Sequence, residues 1–177
     1  SKNIKLYPYG NLTRNGQPDT IGFYILHEGV VGMHDGELIE TNYGDIPDLS
    51  REEVTREIQQ NGWIGFTDKY WMSTLIPRAG QTFKMDQKYY SSSDNFEVWM
   101  RLPPITVNKN ERASVKTNLF VGAKEVNTIK FYQNSLDIEN FVDSVDWGWF
   151  FYLTKPIFFL LDWFNSYTHN MGWSIIL

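Results

Sequence analysis

The stretch Trp147–Phe164, WGWFFYLTKPIFFLLDWF, limits this chain more than any other feature. Its 18 residues hold only two charges, Lys155 and Asp162. As a helix it would run about 27 Å, close to the hydrocarbon thickness of a bilayer. Length alone would permit a span, but three details oppose it. Pro156 removes an amide and crowds the preceding turn. Lys155 would sit near mid-span, where a lone charge costs several kcal/mol. Helical phase is the third: at about 100° per residue, Lys155, Asp162 and Ser166 share an arc of roughly 40°, with His169 beside them. Ile157, Leu160, Leu161, Trp163, Phe164 and Tyr167 cover the other side. A narrow polar stripe on a wide apolar helix predicts a helix lying in a membrane surface, apolar side down.

The membrane-interface residues expected on this ground are Trp147, Trp149, Phe150, Phe151, Lys155, Pro156, Phe158, Leu161, Trp163 and Phe164. Lys155 is expected to snorkel toward anionic head groups, or to pair with a nearby acid. Pro156 is expected in a first helical turn after Thr154, with a break or kink there. The competing reading is a core helix of a globular domain, but the apolar arc is too wide and too aromatic for one sheet face to cover. The segment from Phe131 to Leu177 carries 14 of the chain's 29 aromatics. Trp and Tyr favour places where one side is apolar and the other wet, as at a membrane interface. The final WSIIL reads as the start of a transmembrane helix over 171–177.

The rest of the chain reads as one domain of mainly β structure, with 177 residues in all. Asn15-Gly16, Pro18-Asp19 and Asp35-Gly36 are turn signals. Between them lie the short apolar runs Ile21–Leu26 and Gly29–Met33. Phe96, Val98, Met100 and Leu102 alternate on one strand face, and Val115, Thr117, Leu119 and Val121 on another. Such patterning predicts antiparallel sheets with one face buried. Ser50-Arg51-Glu52-Glu53 fits a capping box and predicts a helix from there to about Gln60, ended by Asn61-Gly62. A second helix is expected from about Ile138, where Ile138, Phe141, Val142 and Val145 recur at helical spacing. The expected domains are a β-sandwich portion over 1–137, a helical linker and interfacial helix over 138–170, and the start of a span over 171–177.

Composition excludes several classes. With no Cys there is no disulfide scaffold, Cys zinc site or thiol nucleophile. The net charge of −5 argues against nucleic acid, whose phosphates call for surplus Lys and Arg. The aromatic content excludes an intrinsically disordered chain. No signal peptide is visible at Ser1, so the chain is either cytosolic or begins after a removed or omitted segment; its other end favours the second.

Three blocks carry a family resemblance. The first is Gly62-Trp63-Ile64-Gly65-Phe66-Thr67-Asp68-Lys69-Tyr70-Trp71, followed by Leu75-Ile76-Pro77; the second is Phe120-Val121-Gly122-Ala123-Lys124. The third is Asp146-Trp147-Gly148-Trp149-Phe150 through Leu153-Thr154-Lys155-Pro156-Ile157-Phe158, then Asn170-Met171-Gly172-Trp173-Ser174-Ile175. In order and spacing the chain resembles the YidC family of bacterial membrane protein insertases over about residues 62–177, and only loosely before that. The resemblance implies the C-terminal part of a large periplasmic domain, a twisted antiparallel β-sandwich like that of sugar mutarotases. It further implies a C-terminal amphipathic helix on the periplasmic face of the inner membrane, then a transmembrane helix. The implied function is insertion and folding of nascent inner-membrane proteins, alone or with the Sec translocon, with no cofactor and no catalytic residue. The family's hydrophilic groove and its Arg are expected beyond Leu177.

Other sites are weaker. His27 and His34 with Glu28, Asp35 and Glu37 fit neither a strand nor a helix face, so a polar turn is expected there and no metal. Glu37, Glu40, Asp45, Asp48, Glu52, Glu53 and Glu57 read as a solvated loop and helix face, with weak cation or partner binding as the alternative. Trp63, Tyr70 and Trp71 are either core or an aromatic surface for an extended peptide or sugar ring. Two rival functions stay open: a carbohydrate-binding or carbohydrate-processing sandwich, and a scaffold that binds an inner-membrane protein through its sheet edge.

Overall fold

The computed structural model describes residues 4–19, 26–148 and 150–176, with Arg51 and Glu52 described by backbone alone. The expected run Ile21–Leu26 lies outside the described residues except for Leu26, and Trp149 and Leu177 lie outside them too. The described strands are β1 (Ile4–Leu6), β2 (Tyr9–Asn15), β3 (Gly29–His34), β4 (Glu37–Asn42), β5 (Thr55–Ile58), β6 (Gly62–Thr67), β7 (Trp71–Ile76), β8 (Phe83–Tyr90), β9 (Asn95–Arg101), β10 (Ile105–Val107) and β11 (Asn118–Ala123). The α-helices are α1 (Arg51–Val54), α2 (Val126–Leu136), α3 (Phe151–Thr168) and α4 (Met171–Ile176). The chain divides into two compact units, Ser1–Val145 and Asp146–Leu177.

The first unit is mainly β. One sheet has the order β11-β7-β6-β3-β4 and a second the order β2-β9-β8-β5, while β1 pairs with β10. The pairings are antiparallel. Register decides which residues meet between the sheets. Val30 pairs with Phe66, Gly32 with Ile39 and Ile64, and Ile64 with Leu75, so these share a face. They form one buried cluster with Ile58, Phe83, Met85, Phe96, Val98 and Met100 of the other sheet. As the alternation predicts, Phe96, Val98, Met100 and Leu102 are all buried.

The other face of the five-stranded sheet carries Trp63, Met33, Met72 and Thr74, all buried. Phe141 meets the Trp63 ring edge-on at 5.3 Å, and Phe120 packs on Phe141 and on Tyr132 of α2. Being covered on both faces, β6 reads as a continuous apolar run rather than an alternation. Gly65 is needed there, because a Cβ would stand 1.9 Å from the Ser73 carbonyl oxygen.

Three expectations are corrected. The capping box at Ser50 forms, with Ser50 N donating to Glu53 Oε2 at 2.9 Å and Glu53 N to Ser50 Oγ at 3.4 Å. The helix nevertheless ends at Val54, because Thr55–Ile58 pairs with Phe83–Asp86 and buries Ile58 completely. Near Ile138 there is no α-helix but a 3-10 turn, Phe141–Ser144, preceded by α2, whose end is marked by Asp137 in the left-handed region. At 114–121 the strand starts only at Asn118, and Leu119 and Val121 are exposed rather than buried.

Candidate membrane interface

The second unit is built around α3. The chain enters it through Gly148, at φ 72°, whose amide donates to Asp146 Oδ1 at 2.8 Å. Thr154 Oγ1 donates to the Trp147 carbonyl at 2.7 Å, fastening the entering chain to the first turns. Trp147 thereby folds back on the helix, edge-on to Phe158 at 5.4 Å and against Phe159 at 6.0 Å, with Lys155 Nζ 6.0 Å from its ring centre. The helix is continuous over 18 residues with Pro156 inside it. The expected placement of Pro156 in the first turn is therefore wrong: the helix starts five residues earlier, where Phe150 O accepts the amides of Leu153 and Thr154.

The two sides of α3 differ. Lys155, Phe158, Phe159, Asp162 and Asn165 are half-buried. Leu153, Ile157, Leu160, Trp163 and Tyr167 lie on the opposite face at helical spacing and are all exposed, Leu153 by 61% and Tyr167 by 70%. No described residue of α3 is buried. An 18-residue helix thus offers a continuous apolar face to its surroundings, which an ordinary globular surface helix turns inward.

Of the residues singled out from sequence, Phe150, Phe151, Pro156 and Trp163 are exposed, whereas Trp147, Lys155, Phe158, Leu161 and Phe164 are half-buried. Trp149 lies outside the described residues. Sequence reasoning left Tyr152 and Leu153 out of the interface, though they are 82% and 61% exposed. The 153, 157, 160, 163, 167 spacing that includes Leu153 was readable as one helical face.

Helix α3 ends at His169, at φ 50°, whose amide donates to the Asn165 carbonyl. Asn170 Oδ1 then accepts the Gly172 amide at 2.9 Å and starts α4. Ser174 is buried, sharing a hydrogen bond with Thr168 Oγ1 at 2.8 Å and donating to the Asn170 carbonyl at 3.0 Å. No described helix is long and apolar enough to cross a membrane.

The aromatic trio of the first unit separates. Trp63 is fully buried and donates its Nε1–H to the Glu139 carbonyl at 3.0 Å, so it belongs to no exposed surface. Tyr70 and Trp71 are each 63% exposed. No group of three or more His, Cys, Asp or Glu suited to a metal occurs among the described residues. His27 bonds Val30 O and Asn42, whereas His34 reaches Glu57 O.

The family model of the YidC periplasmic domain matches residues 1–160. The membrane protein insertase YidC of Dinoroseobacter shibae is 51% identical over 98% of this chain and 30% of its own length. That of Paracoccus denitrificans is 49% identical over 96% of this chain and 27% of its own length. The chain spans about 30% of the length of the curated relatives it matches.

Proposed function

Because the chain belongs to the YidC periplasmic-domain family, we propose that it is the periplasmic portion of a bacterial membrane protein insertase, with α3 lying in the outer leaflet surface of the inner membrane. The observation that carries this reading is the bare apolar face Leu153, Ile157, Leu160, Trp163 and Tyr167. Burying one such side chain is worth about 1.5–3 kcal/mol, so the five together supply on the order of 10 kcal/mol toward membrane partition. Electrostatics contributes little, since α3 carries one cation and one anion, Lys155 and Asp162, and the chain's net charge is −5. Apolar burial therefore drives the attachment, and Lys155 reaches the head groups beside Trp147.

On this reading the clients are nascent inner-membrane proteins, the role is non-catalytic, and the Sec translocon is a partner. A polar segment crossing lipid costs several kcal/mol for each unsatisfied group. An insertase lowers that cost, and α3 keeps the chain at the membrane where the segment crosses. Tyr70 and Trp71 remain an exposed aromatic pair of the same periplasmic body. No observation favours the carbohydrate reading: the buried acid Asp86 is already taken by Arg101 at 2.6 Å and by Thr55.

The test places an environment-sensitive fluorophore at position 160 of the full-length insertase in lipid vesicles. Quenchers carried at shallow acyl positions are expected to reach it, and those near the bilayer centre are not. Leu153→Glu with Tyr167→Glu should lift the probe into water and slow client insertion by about tenfold or more, a loss of some 1.4 kcal/mol. A probe at 160 that water-borne quenchers reach freely in the native protein would sink the interfacial reading.

A further inference from the structure

Among its described residues the second unit buries only one, and that one is polar. Ser174 of α4 is 1% exposed, while its apolar neighbours Trp173, Ile175 and Ile176 are exposed by 61% or more. Only His169 and Asn170 lie between α3 and α4. His169 sits at φ 50°, in the left-handed region that is uncommon outside glycine, so the turn there is held by its surroundings. Those surroundings are three polar side chains.

Each hydroxyl has one proton to give, and the shortest separations set its direction. Ser174 Oγ donates to the Asn170 carbonyl at 3.0 Å, which leaves Thr168 Oγ1 to donate to Ser174 Oγ at 2.8 Å. Thr168 Oγ1 in turn accepts the Asn170 amide at 3.3 Å, and it lies 3.1 Å from the Asn170 carbonyl as well. The bonds close a ring that starts and ends on the Asn170 backbone. The Asn170 carbonyl also accepts the Ser174 amide at 3.1 Å, and Asn170 Oδ1 accepts the Gly172 amide at 2.9 Å. The last residue of α3 is thereby tied to the interior of α4 through side chains, not through the connecting backbone alone.

We propose that Thr168, Asn170 and Ser174 are positioning residues, whose hydroxyl ring sets the direction in which α4 leaves α3 and makes the two helices one rigid corner. The consequence for insertion rests on the interfacial reading of α3 given above. With α3 in the membrane surface, the ring sends the chain away from that surface along one fixed direction, where two backbone residues alone would let it swing. The surroundings favour a closed ring. Against acyl chains no water replaces a lost partner, so opening the corner would strand both hydroxyls. The exposed Trp173, Ile175 and Ile176 give no such hold.

Double electron–electron resonance between spin labels at positions 153 and 175 of the full-length insertase in nanodiscs tests the corner. Both positions are exposed, so neither label enters the ring. The native protein is expected to give one narrow distance distribution. Thr168→Val with Ser174→Ala removes both hydroxyls at little change in volume and should widen it about twofold or more. Thr168→Val alone should also widen it, whereas Thr168→Ser keeps the hydroxyl and should restore the native width. Client insertion should follow the same order, about tenfold slower in the double variant and native in Thr168→Ser. A broad native distribution, a double variant of native width, a Thr168→Ser protein as broad as Thr168→Val, or native-rate insertion by a broadened variant would each overturn the proposal. The distance is read within one unit and does not depend on the depth of α3. Its failure therefore leaves the interfacial reading standing, and the probe at position 160 tests that reading separately.

Discussion

Trp63 ties three elements together through one side chain. It sits on β6, its ring receives Phe141 edge-on, and its Nε1–H reaches Glu139 beyond α2. Trp63→Ala should cost about 3–5 kcal/mol through the cavity it leaves, lowering Tm by roughly 6–20 °C for a domain of this size, read by circular dichroism. Two residues on, Gly65→Ala drives a methyl into the Ser73 carbonyl and should cost about 1–3 kcal/mol. Asp35 works by charge. Its carboxylate accepts the amides of Gln59, Gln60 and Asn61, clasping the β3–β4 turn to the β5–β6 loop. Partial burial raises its pKa, but those amides and the nearby His34 outweigh this and hold it below the ordinary 3.8. A carboxyl depressed in the folded state adds stability above its unfolded pKa and loses it as pH falls through the folded one. Asp35→Asn should therefore be less stable than the native chain at pH 6, with the gap closing as denaturation is repeated below about pH 4.

At the scale of elements, the segment 50–60 shows local and non-local forces in competition. The capping box at Ser50 is complete, and its bonds from Ser50 hold the Glu53 carboxyl below its ordinary pKa. It starts one turn only, because as a strand the next four residues bury Ile58 against Phe83. Ser50→Ala should thus cost only about 0.5–1 kcal/mol in chemical denaturation, the low end for a cap. Helix α3 carries its own internal defect. Pro156 offers no amide to the Tyr152 carbonyl, so Pro156→Ala should relieve up to about 3 kcal/mol of helix cost. Amides after position 156 should then exchange more slowly.

At the scale of the molecule, the buried hydrophobic residues all precede position 146, and Ser174 is the one buried residue described beyond it. Truncation after Val145 should leave a cooperative unfolding transition, since the buried hydrophobic residues described all lie before that point. The same truncation should abolish vesicle binding by the chain, measured by flotation. Binding by the intact chain should survive an increase from low salt to about 1 M, where screening reaches within roughly 3 Å, because the bare face of α3 is apolar.

The sequence alone determined what depends on periodicity and on local chemistry. The alternation of Phe96 to Leu102, the capping box at Ser50 and the apolar face of α3 each follow from spacing along one segment, and the family was readable from the Gly62–Trp71 block and the Trp147–Phe158 stretch. Only the tertiary structure decided which side of an element is covered. Trp63 and Trp71 stand eight residues apart with equal hydrophobicity, yet one is sealed by Phe141 and the other is 63% exposed, because the 3-10 turn covers the face of the sheet that carries Trp63 and Trp71 lies on the other face. Leu119 and Val121 follow the predicted period and are still exposed among the described residues, for burial is a property of the neighbour that arrives from far along the chain.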